Sequence, residues 1–292
     1  MLSLLLACTD ALPQDSAGEE ELEFLFSFVV LADPHLSTTV EHEERLAGAV
    51  AWINDNAATE GIELVWVVGD IGWGVGLPLA PVLLGELTVP YVPVIGDNEV
   101  HFGDEENFDD VFAPTYSELG STFDDFQRGQ IEVYNPQFDQ TSWLQNFSFS
   151  HRGLRWIGLD WCSRDTGLQG EFAELHDLDG GTFPFFRNEL APLEPTESED
   201  VLLFSHHPMH IGLFDLAEME ALTATTGPIA GRVAGAWAGH LHLDGAVEVP
   251  DAGYTAFVTD ATWDDENTVR LVQVHGNGQR FEYTQDLVIV PW

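Results

Sequence analysis

Residues 28–37 read FVVLADPHLS. Phe28 to Ala32 are apolar and form the pattern of a buried strand. Asp33 and His35 follow at its end, two residues apart. An ionisable group beside a buried strand costs free energy unless something holds it. The pair therefore marks a site, and the question is what else the chain brings to it.

Two further apolar strands follow the same plan. IELVWVVGD (62–70) ends in Gly69-Asp70, and VPYVPVIGD (89–97) leads into the turn Gly96-Asp97-Asn98-Glu99. Between them lie a helix over 39–56, with Leu46, Val50 and Ile53 on one face, and a weaker helix in GLPLAPVLLGEL. Thr38 and Glu41 match a capping box for the first helix. This alternation of strand and helix predicts a parallel sheet with covering helices. Downstream, NFSFSHRGLRWIGLD (146–160) reads as a hairpin turning at Arg152-Gly153. Helices are expected at 182–194 and 215–224. Strand DVLLFSHHP (200–208) ends in Ser205-His206-His207-Pro208, and strand GAWAGHLH (235–242) in Gly239-His240-Leu241-His242. HGNGQ is a hairpin turn between the last two strands.

Five apolar strands thus end in Asp, Asn or His. In α/β sheets the carboxyl ends of strands converge on one crevice, where ligands bind. About seven oxygen and imidazole ligands would meet there, too many for one ion. A bridging carboxylate lets such a set hold two, and two ions about 3.5–4 Å apart clamp an in-line displacement at phosphorus. Mixed nitrogen and oxygen ligation suits divalent or trivalent Mn, Fe, Zn, Ni or Co, and the lack of thiolates argues against a closed structural zinc site. Taken singly, each residue has a plainer use: Asp33 as a helix cap, Asp70 and Asp97 as turn residues.

The ordered series D-x-H (33–35), GD (69–70), a G-N-H-E-like turn (96–99), H-x-P (206–208) and G-H-x-H (239–242) resembles the calcineurin-like metallophosphoesterase superfamily over residues 24 to about 265. The resemblance implies an α/β fold, an αββα sandwich of two mixed sheets flanked by helices. It implies hydrolysis of small phosphoesters, monoester or diester, by metal-bound hydroxide attacking phosphorus in line. Asp33, His35 and His242 would bind a first metal, Asp70 would bridge, and His206 and His240 would bind a second. The turn departs from the family pattern, reading GDNE. Without a gap, Asp97 takes the metal-ligand position and Asn98 that of the family's His, which assists the leaving group. With a slip of one residue, Asn98 is the metal ligand. His101, four residues on, is a stand-in for the missing His. The departure also admits a second reading, a family-fold scaffold that binds without robust catalysis.

Other residues carry weaker expectations. His207 beside His206, Trp73 after the second strand and Arg164 in WCSRD are candidates for substrate binding, Arg as a bidentate phosphate partner. Trp161 is a candidate pocket wall. Residues 101–145 read as a partly helical insertion over the sheet edge, with Phe102, Phe108, Phe112 and Tyr116 either in the pocket wall or as packing for a partner.

The chain of 292 residues carries 50 acidic side chains against nine basic ones, all Arg, for a formal net charge of −41. Such a surface repels nucleic-acid backbones and anionic membranes, which disfavours both as partners. Leu5-Leu6-Ala7-Cys8 resembles the bacterial lipoprotein box, with residues 1–22 a signal remnant and acidic tether and 23–292 one domain. The expected location is extracytoplasmic, in a bacterial cell envelope, with a lipid on Cys8 as the sole membrane contact. Cys162, left without a partner, is expected as a small buried core residue. Oligomeric state is not readable from the sequence.

Overall fold

The computed structural model describes residues 22–135, 139–164, 170–194, 199–210, 212–278 and 280–292. Cys8 and nearly all of the acidic tether lie outside these. Strand β1 (Glu23–Leu31) leads to α1 (Val40–Glu60), β2 (Ile62–Val68), α2 (Ala80–Leu84), β3 (Tyr91–Val94), α3 (Asp97–His101) and α4 (Glu105–Thr122). Then come β4 (Asp124–Asn135), β5 (Gln140–His151), β6 (Leu154–Leu159), α5 (Thr182–Leu190), β7 (Asp200–Ser205) and α6 (Leu216–Thr226). Strands β8 (Val233–Ala238), β9 (Gly245–Val249), β10 (Tyr254–Val258), β11 (Thr268–Gly276) and β12 (Phe281–Ile289) complete the chain.

Two mixed sheets face each other. One runs β12-β11-β1-β2-β3, the other β4-β5-β6-β7-β8-β10-β9. β1, β2 and β3 are mutually parallel, as are β6, β7, β8 and β10. Each sheet therefore has a parallel centre, and helices cover the outer faces, giving an αββα sandwich. The middle layer is aromatic. Phe28 of β1 meets Trp156, Phe204 and Trp237 edge-on at 5.1, 5.9 and 5.4 Å. Trp66 of β2 lies flat on Phe204 of β7 with centroids 3.7 Å apart. On the outer face of the larger sheet, Trp161, Phe186, Leu203, Met219 and Leu222 form a second cluster beneath α5 and α6.

Several sequence expectations need correcting. α1 starts at Val40, so its N-cap is Thr39, which makes no side-chain cap bond. Glu41 bonds Arg45 one turn along instead of reaching back to Thr38. Residues 101–145 are not a cover. Their first half forms α4 and their second half supplies β4 and the start of β5, which extend the larger sheet to its edge. Phe108, Phe112 and Tyr116 are core residues, and Phe102 alone of that set is exposed. Trp161 is buried, edge-on to Phe186 and Phe214, and walls no crevice. Cys162 is a buried free thiol, as expected. Among the described residues no helix is long and apolar enough to cross a membrane.

Because Trp66 joins the sheets through a fully buried face, Trp66→Ala leaves a large void between them. It should cost about 3–5 kcal/mol of stability, read as a lowered urea midpoint with an unchanged slope.

Candidate metal centre

The expected residues arrive from five strand ends. Asp33 and His35 follow β1, Asp70 follows β2, Asp97 and Asn98 open α3 after β3, His206 follows β7, and His240 and His242 follow β8. The backbone is bent hard there. Asp33, His35, Asp70, His240 and His242 all have left-handed φ, between 49° and 70°. Asp and His tolerate that region better than branched residues, but the cost still points to a functional constraint. Two glycines permit the close approach. A Cβ on Gly69 would lie 2.4 Å from His206 Nδ1, and one on Gly96 would lie 2.0 Å from the Asp70 nitrogen.

Two ligand groups result. Asp33, His35, Asp70 and His242 form one, and Asp97, His206 and His240 the other, the ligand atoms within each lying within 4.8 Å of one another. Asp70 reaches both. Its Oδ2 is 3.1 Å from His35 Nε2, and its Oδ1 is 3.3 Å from His206 Nε2. Asp97 Oδ1 lies 2.6 Å from His206 Nε2 and 2.8 Å from His240 Nδ1. Asn98 is turned the other way. Its backbone N–H donates to Asp70 Oδ1 at 2.8 Å and its side-chain amide to Asp70 Oδ2. Of the two alternatives at the turn, the geometry therefore puts Asp97 among the imidazoles and Asn98 on the shared carboxylate. His206 Nδ1 donates to the Val68 carbonyl at 2.9 Å, which orients the ring and aims Nε2 at the centre.

Electrostatics suits cations. Burial, then the neighbouring Asp70 charge against the opposing pull of His206, raises the Asp33 pKa from 3.8 to about 7. Burial opposes ionisation of Asp97 too, but hydrogen bonds from His206 and His240 outweigh it and hold the carboxyl well below the usual range. Burial disfavours a charged His206, yet Asp70 and Asp97 raise its pKa well above 6.5. Asp33 thus tends to take up a proton, and Asp97 stays ionised only because the imidazoles beside it supply positive charge; a metal ion would take over the role of both. The donor set, three carboxylates and four imidazoles with no thiolate, fits such ions.

The remaining candidates sit around this centre. His207 is fully buried, its ring 4.5 Å from that of His240 and its Nδ1 3.8 Å from Cys162 Sγ. Burial, then His240, holds it neutral by lowering its pKa well below 6.5. It packs behind the candidate ligands and is not part of the crevice lining. Trp73 meets His35 edge-on at 5.3 Å and stacks on Phe102 at 4.9 Å, a buttress for the ring. His101 lies against Phe102, outside the crevice lining. Arg164 is buried and held by Asp160 at 2.8 Å and Glu105 at 3.8 Å, so its charge is spent inside the fold.

Two residues escaped sequence reasoning. Glu99, fully buried, accepts from the Gly72 and Gly96 N–H groups at 2.9 and 2.7 Å, tying together the turns that carry Asp70 and Asp97. Burial, then Asp70, raises its pKa to about 8. It stood in the quoted turn, but nothing in the spacing reveals its partners. Trp263 stacks on His35 at 5.1 Å and meets His242 edge-on at 5.4 Å, and no sequence signal marks it.

The crevice, about 400 Å³, is lined by His35, Asp70, Asp97, Asn98, His240 and His242 with Glu171, Phe172, Gly212, Leu213 and Leu241. No protein-family model matches the chain, and no curated protein does. Solved structures similar to it include TT1561 of Thermus thermophilus. That likeness has a TM-score of 0.47 at 11% identity, over 89% of this chain and 98% of that one. Another is a cold-active protein tyrosine phosphatase, with a TM-score of 0.38 at 13% identity, over 89% of this chain and 78% of that one.

The raised carboxyl pKa values carry a pH signature. A carboxyl whose pKa is higher folded than unfolded binds more protons when folded, so stability falls as pH rises between the two values. For Asp33 that window runs from 3.8 to about 7, and for Glu99 from 4.5 to about 8. Metal-free protein should lose melting temperature across this range, and Mn²⁺ should remove the part of the loss that comes from Asp33. A flat metal-free profile from thermal melts would contradict the account.

Proposed function

We propose that this chain is a dinuclear metal-dependent phosphoesterase of the calcineurin-like kind, acting on small phosphoesters. The observation that carries it is Asp70, a buried carboxylate with one oxygen toward each ligand group. Asp33, His35 and His242 would hold one ion and Asp97, His206 and His240 the other. Two such ions would acidify a water and neutralise charge developing on the phosphoryl oxygens. The Val68 carbonyl keeps the His206 ring oriented, and Asn98 holds the Asp70 carboxylate in place. Glu99 fixes the spacing of the two turns. Phe172, Leu213 and Leu241 give the crevice an apolar wall that the ester substituent would lie against.

The test joins metal content to turnover. Dialysed against Mn²⁺, the protein should carry two ions per chain by mass spectrometry, and His206→Ala fewer. Hydrolysis of aryl phosphates should fall by about a hundredfold or more in His206→Ala. Two bound ions with no turnover on any ester would leave the second reading, a binding scaffold. That reading draws on one observation: Asn98 occupies the place of the family's acid-donating His and is engaged with Asp70.

The same observation shapes the expected chemistry. Apart from the candidate ligands, the described crevice residues include no imidazole, and the one extra carboxylate is the exposed Glu171. General-acid help is commonly worth about 10²–10⁴-fold. Esters with an acidic aryl leaving group should therefore outpace simple alkyl esters by a margin of that order. A leaving-group series would read it as a steep dependence of kcat/KM on the phenol pKa, and a flat series would require an acid residue.

A further inference from the structure

We infer that the crevice selects singly charged phosphodiesters over doubly charged phosphomonoesters. The inference rests on the phosphoesterase reading and names its substrate class.

Cations are scarce in this chain, which has nine Arg and no Lys. Eight Arg pair with acids: Arg45 with Glu41, Arg128 with Asp109, Arg152 with Glu63, Arg155 with Glu189, Arg164 with Asp160, Arg232 with Asp200, Arg270 with Asp244 and Arg280 with Glu282. The ninth, Arg187, lies over the Phe183 ring on α5. None of the nine lines the crevice. A dianionic phosphate monoester is ordinarily met by a bidentate Arg or a Lys beyond any metals. Among the described crevice residues no side chain is available for that task, and Glu171 adds a negative charge to the rim.

The ligand set points the same way. The carboxylates of Asp33, Asp70 and Asp97 offset all but one of the four positive charges that two divalent ions bring. An Asn at position 97 would leave two. With the attacking hydroxide counted as well, the centre would be close to neutral, so a second negative charge on the substrate would go uncompensated, and a phosphodiester carries only one. A monoester carries nearly two above its second pKa of about 6.

Shape gives a third, independent observation. A diester needs room on both sides of phosphorus. The crevice shares Phe172 and Leu213 with a larger cavity of about 710 Å³, lined also by Tyr134, Ala173 and Leu178. Phe172 is 45% exposed between the two. Arg164 borders the larger cavity, but Asp160 and Glu105 hold its guanidinium. One ester substituent can occupy the crevice mouth and the other can pass Phe172 into the neighbouring recess.

The experiment compares a bis-aryl phosphate with the matching aryl phosphate, using Mn²⁺-loaded protein of measured metal content near pH 8, where the monoester is a dianion. The diester should be favoured in kcat/KM by about tenfold or more, the effect of one uncompensated charge at this range. Glu171→Arg, on an exposed residue, should raise monoester kcat/KM several-fold and diester kcat/KM by less. Equal or faster monoester turnover would overturn the inference. A second arm measures binding alone, by phosphorus NMR broadening with inorganic phosphate and dimethyl phosphate. Tighter binding of dimethyl phosphate supports the inference, and tighter binding of phosphate overturns it. If both ions are bound and neither ester turns over, the phosphoesterase reading falls, and the binding arm still decides the charge preference.

Discussion

The structure turns on the confinement of negative charge. Asp33, Asp70, Asp97 and Glu99 are all buried within one small region, and no Arg stands among them. Isolated carboxylates in such a place would be prohibitively costly. Imidazoles, backbone N–H groups and recruited protons offset part of that cost, and metal ions at the two ligand groups would offset it more completely. The other local features serve the same confinement. The left-handed backbone at five candidate ligands aims side chains inward from strand ends that would otherwise point them apart. The glycines at 69 and 96 let two turns touch. Glu99 spends both of its oxygens on backbone groups from neighbouring turns.

The sandwich explains why the ligands arrive from opposite halves of the chain. Each sheet has a parallel centre, so β1, β2 and β3 end on the same edge, and β7 and β8 do likewise. The aromatic layer holds these two edges in register. Trp66 against Phe204 is the closest ring contact, with Trp66 four residues before Asp70 and Phe204 two residues before His206. Packing at the middle of the fold and geometry at its rim are thus two aspects of one arrangement.

Much of this was legible in the sequence, for a physical reason. A buried strand followed at once by Asp or His breaks the usual partition of polar and apolar residues, and five such breaks in order leave few alternative topologies. The short-range pattern also revealed the α1 face and the hairpin at Arg152-Gly153. What stayed hidden depends on partners far along the chain. Position in the motif put Asp97 in the ligand place without a gap and Asn98 there with a slip, and only the fold shows that the imidazoles of His206 and His240, more than a hundred residues away, lie against Asp97. Trp263 meets His35 and His242 only in the folded chain. The polar, irregular composition of residues 101–145 concealed β4, a sheet edge whose apolar alternation is confined to the short run Ile131-Glu132-Val133. Arg164 looked like a phosphate partner because it was scarce, whereas Asp160 and Glu105 had already claimed it.

The placement of the arginines bears on how the molecule behaves in solution. Five of them, Arg45, Arg155, Arg164, Arg232 and Arg270, keep no more than 11% of their side-chain surface exposed. The few positive charges are therefore largely internal fasteners, and the exterior is close to a uniform polyanion. Dissolved salt acts differently on these two populations. Exposed like charges lose their mutual repulsion over a Debye length of about 8 Å at physiological ionic strength. The sheltered ion pairs are screened far less. Raising ionic strength therefore relieves surface strain without loosening the fasteners, and brine is a gentler medium for this fold than dilute buffer.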